Sequence, residues 1–249
     1  MGVDAERAGR RSPLNVEIEG TGSDLVLLHG GAGGIRDLDA LRERLAPGRR
    51  TISPDQRGHG RSPDPGDMSY AAQAADTAAL LDELAIRAAD IVGWSDGGIV
   101  GLLVARDRPD LVRRLVAISA NASLDSEPSA LTAAAREYLA GAMPADLALP
   151  VGRDALPGVA AEWPATAERI LAMWQVGPDL PLADLGRISC PVLYLAADAD
   201  IVPLEHTVAM YQATPGAHLA ILDGANHRLP QNRADEVAAI VERFLTGPG

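Results

Sequence analysis

No lysine occurs among the 249 residues, and all 22 basic side chains are arginine. Schiff-base catalysis and a serine–lysine dyad are therefore excluded. There is one cysteine, Cys190, so the chain forms no internal disulfide and builds no cysteine-based metal cluster. Cys190 opens an apolar run and reads as a buried, inert thiol. No His-x-x-x-His pair is present either, so no metal site is expected. Positive charge is in short supply. With 34 acidic residues the net charge is −12 and the pI is near 4.8. That balance argues against nucleic acid and anionic membrane surfaces as partners. No apolar run approaches the roughly 18 residues of a membrane span. Residues 1–12 carry arginines but no apolar segment follows, as a secretory signal would require, and they read as a polar tail. These absences fit a cytoplasmic protein acting on a small molecule, and they leave monomer and homodimer both open.

What is present is regular. Hydrophobic residues make up 47% and charged residues 22%, values of a globular chain. Leu14, Val16 and Ile18 alternate with polar residues, as in a half-buried strand. Leu25–Leu28, Asp90–Trp94, Leu115–Ser119 and Pro191–Ala196 are short apolar runs, the signature of strands buried on both faces. Helical patterns fall between them, at 37–45, 70–84, 97–106, 205–213 and 233–245. Strand–helix alternation of this kind predicts an α/β fold with a mostly parallel, doubly wound sheet. The rhythm breaks at 122–186, where helical stretches (129–141 and 162–174) lie between Pro- and Gly-containing loops. That block reads as a lid inserted over the carboxyl ends of the strands, dividing a core of 13–121 and 187–249.

The chemistry centres on Gly93-Trp94-Ser95-Asp96-Gly97. A strand that turns directly into a helix holds its corner residue at strained angles, and only small flanking residues let the backbone come that close. The corner serine then projects at a helix N-terminus, where free N–H groups meet developing negative charge. The loop His29–Gly34 follows the first buried strand. It lacks the Gly-Lys-Ser/Thr of a phosphate cradle.

Five segments in order resemble the α/β-hydrolase family over nearly the whole chain. They are His29-Gly30-Gly31, Asp55-x-Arg57-Gly58-His59-Gly60-x-Ser62, Gly93-Trp94-Ser95-Asp96-Gly97-Gly98, Asp198-Ala199-Asp200-Ile201-Val202-Pro203, and Gly224-Ala225-Asn226-His227. Within that family the elbow, with Arg108-Pro109-Asp110 and Ser119-Ala120-Asn121, looks most like the biphenyl hydrolase-like and valacyclovir hydrolase group. The resemblance implies an α/β-hydrolase fold with an inserted helical lid, and a serine nucleophile at Ser95. It implies His227 as the base, the one histidine of five in a loop after the last strand. His29 and His59 become loop-shaping residues, His206 and His218 structural or exposed ones. Asp198 and Asp200 both follow the 191–196 strand, and the family pattern selects Asp200, although Ala197 stands where the family commonly has glycine. The N–H groups of Gly31 and Asp96 would form the oxyanion hole. Asp55, Arg57 and His59 read as a structural turn held by an arginine–aspartate pair.

The implied activity is cofactor-free hydrolysis of a small ester, lactone or thioester through an acyl-enzyme. The same site also serves C–C bond hydrolysis, perhydrolysis, lyase chemistry or a slow-turnover ligand receptor. Trp94, Asn121, Trp163, Trp174, Met143 and Met173 are candidates to line the substrate pocket. The lid block holds nine acidic residues against three arginines. Solvated helix faces account for most of them. Glu162 is the candidate to attract a cationic substrate such as an amino-acid ester.

Overall fold

In the computed structural model, residues 12–123 and 163–247 are described. Seven strands among them form one sheet in the order β1-β3-β2-β4-β5-β6-β7. The strands are β1 (Val16–Gly20), β2 (Ser23–Leu28), β3 (Arg49–Pro54), β4 (Ala89–Trp94), β5 (Val112–Ile118), β6 (Val192–Ala199) and β7 (His218–Asn226). Only β1 runs antiparallel, against β3, and all other pairs are parallel. The apolar runs occupy the middle, as expected of strands covered on both faces: β4 is buried along its whole length. β1 lies at the edge, so Ile18, expected on a half-buried strand, is 42% exposed.

Helices cover both faces. On one side α2 (Tyr70–Glu83), α3 (Asp96–Asp107) and α5 (Leu204–Ala213) pack with α4 (Trp163–Val176). On the other, α1 (Asp39–Leu45) and α6 (Ala234–Thr246) close a second apolar cluster. The sequence placed each of these helices to within about three residues, the usual slack at helix ends. Most of the expected insertion, 124–162, lies outside the described residues, as does the helix expected at 129–141. Its remainder forms α4 and a single helical turn, Leu182–Leu185. Among the described residues no helix is long and apolar enough to cross a membrane.

Register explains why distant residues meet. The chain leaves β2 toward β3 on one side and returns to β4 on the other, so the strand order reverses at β2–β4. In open α/β sheets such a reversal leaves a crevice at the carboxyl ends. Leu28 pairs with Gly93, which sets the loop after β2 beside the turn after β4. Further along, Ala199 pairs with Asn226. The residues that follow these two strands are Asp200 and His227, so the sheet itself brings them together.

Candidate active site

Ser95 stands between β4 and α3 at φ 54° and ψ −121°. A side-chain-bearing residue adopts such angles only under outside constraint, at about 1–3 kcal/mol. The flanking glycines supply the room. A Cβ on Gly93 would come within 2.2 Å of the Gly97 carbonyl oxygen, and one on Gly97 within 2.1 Å of the Leu28 carbonyl oxygen. Any larger residue would push the strand, the helix and the end of β2 apart. The elbow expected from the sequence is therefore present, and sterics at two positions account for it.

The Ser95 hydroxyl lies 2.9 Å from His227 Nε2, and His227 Nδ1 lies 2.7 Å from Asp200 Oδ1. With Nδ1–H turned to the carboxylate, Nε2 is free to accept the Ser95 proton. The second oxygen of Asp200 accepts the Ser119 hydroxyl at 2.5 Å, and Val202 N–H donates to Oδ1 at 3.1 Å. Burial works most strongly against the Asp200 charge. The bond and charge of His227, then Ser119 and Val202, outweigh it and hold the carboxyl below its ordinary range. Asp198 instead accepts the Ala225 N–H at 3.0 Å and takes no part in the relay. The β6–β7 register shifts between Ala197 and Ala199, just before Asp200.

Two contributors to this relay were not expected. Ser119 was noted only as part of the family resemblance, yet it holds Asp200. Trp94, expected in the substrate pocket, is a correction. Strand alternation turns it to the same face as Val92, into the core beside α6. It is 4% exposed, and its indole N–H donates to the His227 carbonyl at 2.8 Å. It packs in this core and braces His227 from beneath.

Asp96, expected to act through its backbone N–H, has a buried carboxyl. Tyr70 O–H donates to one oxygen and Trp174 Nε1–H to the other, both at 2.8 Å. Burial raises its pKa above the ordinary value, against the two neutral donors. Burial, then the Asp96 charge, likewise lifts the Tyr70 phenol well above its usual value. A Cβ on Gly31 would stand 2.0 Å from Asp96 Oδ2 and 2.7 Å from the Trp174 ring. Gly31, Asp96 and Trp174 thus meet at the mouth of the elbow. Trp174, one of the expected pocket residues, roofs this side of the site from α4.

The loop 29–34 is pinned from below. His29 Nε2 accepts the Gln56 N–H at 2.9 Å, and the Gln56 amide donates to the His29 carbonyl at 2.6 Å. His59 Nε2 accepts the Ala32 N–H at 3.1 Å. Burial, and then the neighbouring His29, push the His59 pKa down to about 3. Asp55 accepts from the Ile35 and Arg61 N–H groups and from Asn15 Nδ2. The arginine–aspartate pair expected in this turn is not Arg57 with Asp55. Arg57 reaches across to Asp76 on α2 at 2.7 Å, a contact invisible to local pattern.

The remaining expected residues are less central. Asn121 is half-buried and its amide donates to the Ser123 carbonyl at 3.2 Å. Met173 packs in the core, where its sulfur receives the Gln73 amide at 3.1 Å. The Trp163 side chain, Met143 and Glu162 lie outside the described residues. His206 Nε2 accepts the Ala122 N–H at 3.1 Å, and His218 meets Phe244 edge-on. Cys190 is buried, and burial lifts its thiol to about 11. Among the described residues no group of three or more His, Cys, Asp or Glu side chains could hold a metal ion.

Comparison with known proteins agrees with this fold. The family described as "Alpha/beta hydrolase family" matches residues 25–240. Serine hydrolase BPHL of Mus musculus is 29% identical over 248 residues, covering 93% of this chain and 82% of that protein. A thermophilic esterase from Thermogutta terrifontis is 27% identical with a TM-score of 0.75, over 93% of this chain and 92% of that one. An enol-lactonase from Burkholderia xenovorans is 23% identical with a TM-score of 0.77, over 94% and 96%. This last likeness is one of fold.

Proposed function

The chain belongs to the alpha/beta hydrolase family, and we propose that it is a serine hydrolase of small carboxylic esters, lactones or thioesters. One observation carries the reading: a strained Ser95 in hydrogen-bond line with His227 and Asp200. A serine hydroxyl is a poor nucleophile until a base takes its proton. His227 Nε2 takes it as Oγ attacks the substrate carbonyl, and Asp200 steadies the imidazolium. The Gly31 and Asp96 N–H groups hold the oxyanion. Collapse expels the alcohol or thiol, which receives its proton from His227. Water then attacks the acyl–Ser95 ester, passing its proton to His227, and collapse returns that proton to Ser95. These side chains and water complete the cycle. The similarity to a serine hydrolase and to an esterase supports an ester-type substrate. We read the 122–186 block as the lid that sets substrate choice, with Trp174 as its fixed wall.

Turnover of p-nitrophenyl acetate and butyrate by the wild type and by Ser95→Ala tests the reading. The variant is expected to fold and to lose at least about a thousandfold in kcat, since the whole relay acts through Oγ. Equal rates for the two proteins would overturn it.

A further inference from the structure

Two buried histidines, His29 and His59, take no part in the acyl-transfer cycle, and both hold the loop that carries Gly31. A peptide unit holds its N–H and its C=O on opposite edges of one plane. The Gly30 carbonyl shares its unit with the Gly31 N–H, and it receives His29 Nδ1–H at 2.7 Å. That bond pins one of the two peptide planes that meet at Gly31. The Gly31 carbonyl shares the next unit with the Ala32 N–H, which donates to His59 Nε2 at 3.1 Å. Gly31 has no side chain to restrain it, so its orientation comes from these two pinned planes. Ala32 stands at φ 54°, an angle alanine keeps only when held from outside.

His59 is itself held in the state this requires. Its Nδ1–H donates to the Arg57 carbonyl at 2.9 Å, and its ring meets His29 edge-on with centroids 5.2 Å apart. A carbonyl at Nδ1 demands a proton there, which leaves Nε2 bare and able to accept. Burial foremost, and His29 next, keep the ring neutral until about pH 3, so the acceptor persists through the neutral and mildly acidic range.

We propose that His59 is a positioning residue of the oxyanion hole: by accepting the Ala32 N–H at Nε2, it holds the Gly31 donor in its working direction. The inference rests on the acyl-transfer reading. It joins the loop after β2 to the turn after β3 as one device, across 27 residues of sequence.

The test is a matched set of variants in the full chain. His59→Gln can set an amide oxygen where Nε2 stands. His59→Asn is equally polar but too short to reach the Ala32 N–H, and His59→Leu has no acceptor. Each is assayed for p-nitrophenyl acetate turnover and for inhibition by phenylboronic acid, whose serine adduct places an oxygen in the hole. His59→Asn and His59→Leu are expected to lose about 10- to 50-fold in kcat, less than the 100- to 1,000-fold of deleting a donor outright. Their KM stays near wild type and phenylboronic acid weakens in proportion to kcat. His59→Gln restores most of both. Wild-type kcat and boronate affinity in His59→Asn would overturn the proposal. So would losses in which KM moves and boronate affinity does not. Should the variants fail to fold, nitrogen-15 NMR of the wild-type histidines decides: a bare Nε2 on His59 supports the proposal, and an Nε2-protonated ring overturns it. A wild type no faster than Ser95→Ala would sink the acyl-transfer reading itself, which keeps the two failures apart.

Discussion

Two carboxyls lie buried around the Ser95 site, one bonded to His227 and one on the residue after Ser95, and the fold treats them in opposite ways. Asp200, at the end of β6, has its pKa held down, and Asp96, at the start of α3, has its pKa pushed up. Burial is the largest influence on both. The difference lies in the partners. Asp200 faces an imidazole that can carry positive charge, and it takes further bonds from Ser119 and Val202. Asp96 receives a phenol O–H and an indole N–H, with His227 and His29 acting on it more weakly and through space. Neutral donors satisfy a buried carboxyl without favouring its charge enough to offset desolvation. The carboxyl that we propose for catalysis is the one hydrogen-bonded to a chargeable partner. The other acts as a tie between the elbow, α2 and α4.

Substitutions should separate these roles. Asp200→Asn is expected to cost about 10³- to 10⁴-fold in kcat, because an amide NH2 facing Nδ1 disfavours the working tautomer. Its melting temperature should change little by comparison, and a kcat within tenfold of wild type would break the contrast. Asp96→Ala strips the partners from the Tyr70 hydroxyl and the Trp174 indole, two buried donors. It should destabilise the fold by about 2–4 kcal/mol in urea unfolding. A midpoint unchanged from wild type would show that the tie contributes nothing.

The pH dependence should also run in opposite directions. The Asp200 pKa is lowered, so its contribution to stability is full above the ordinary carboxylate value of 3.8 and is lost as pH falls through the depressed value. The Asp96 pKa is raised, so its contribution is full below 3.8 and declines as pH rises toward the elevated value. Melting curves against pH should show Asp96→Asn gaining on the wild type above about pH 4. The gap between wild type and Asp200→Asn should close in acid. Parallel curves for both variants would contradict the assignment. Smallest of all, Trp174→Phe removes one donor while keeping most of the ring packing. It should cost about 1 kcal/mol and be read as a modest fall in the urea midpoint.

The parts of the site readable from sequence are those whose cause is local. Gly93 and Gly97 flank Ser95 because the turn leaves no room for a Cβ, and that constraint is written within five residues. The strands were readable because burial on both faces demands unbroken apolar runs. Asp200 and His227 followed from their places after late strands, once the family pattern was recognised. What escaped depends on distant contacts. Asp96 meets Tyr70 and Trp174 from 26 and 78 residues away, and no spacing along the chain announces it. The partner of Arg57 is Asp76, 19 residues away on α2. Trp94 was misjudged for a different reason. The alternation of β4 sets it on the same face as Val92, in the core.

The most direct test of the account is labelling with a fluorophosphonate probe at neutral pH, with the modified residue located by peptide mass spectrometry. A nucleophile activated by His227 and Asp200 should yield one stoichiometric adduct on Ser95, formed far more slowly in Asp200→Asn. A folded protein that takes no label, or takes it at another residue, would contradict the claim that Ser95 is the reacting group.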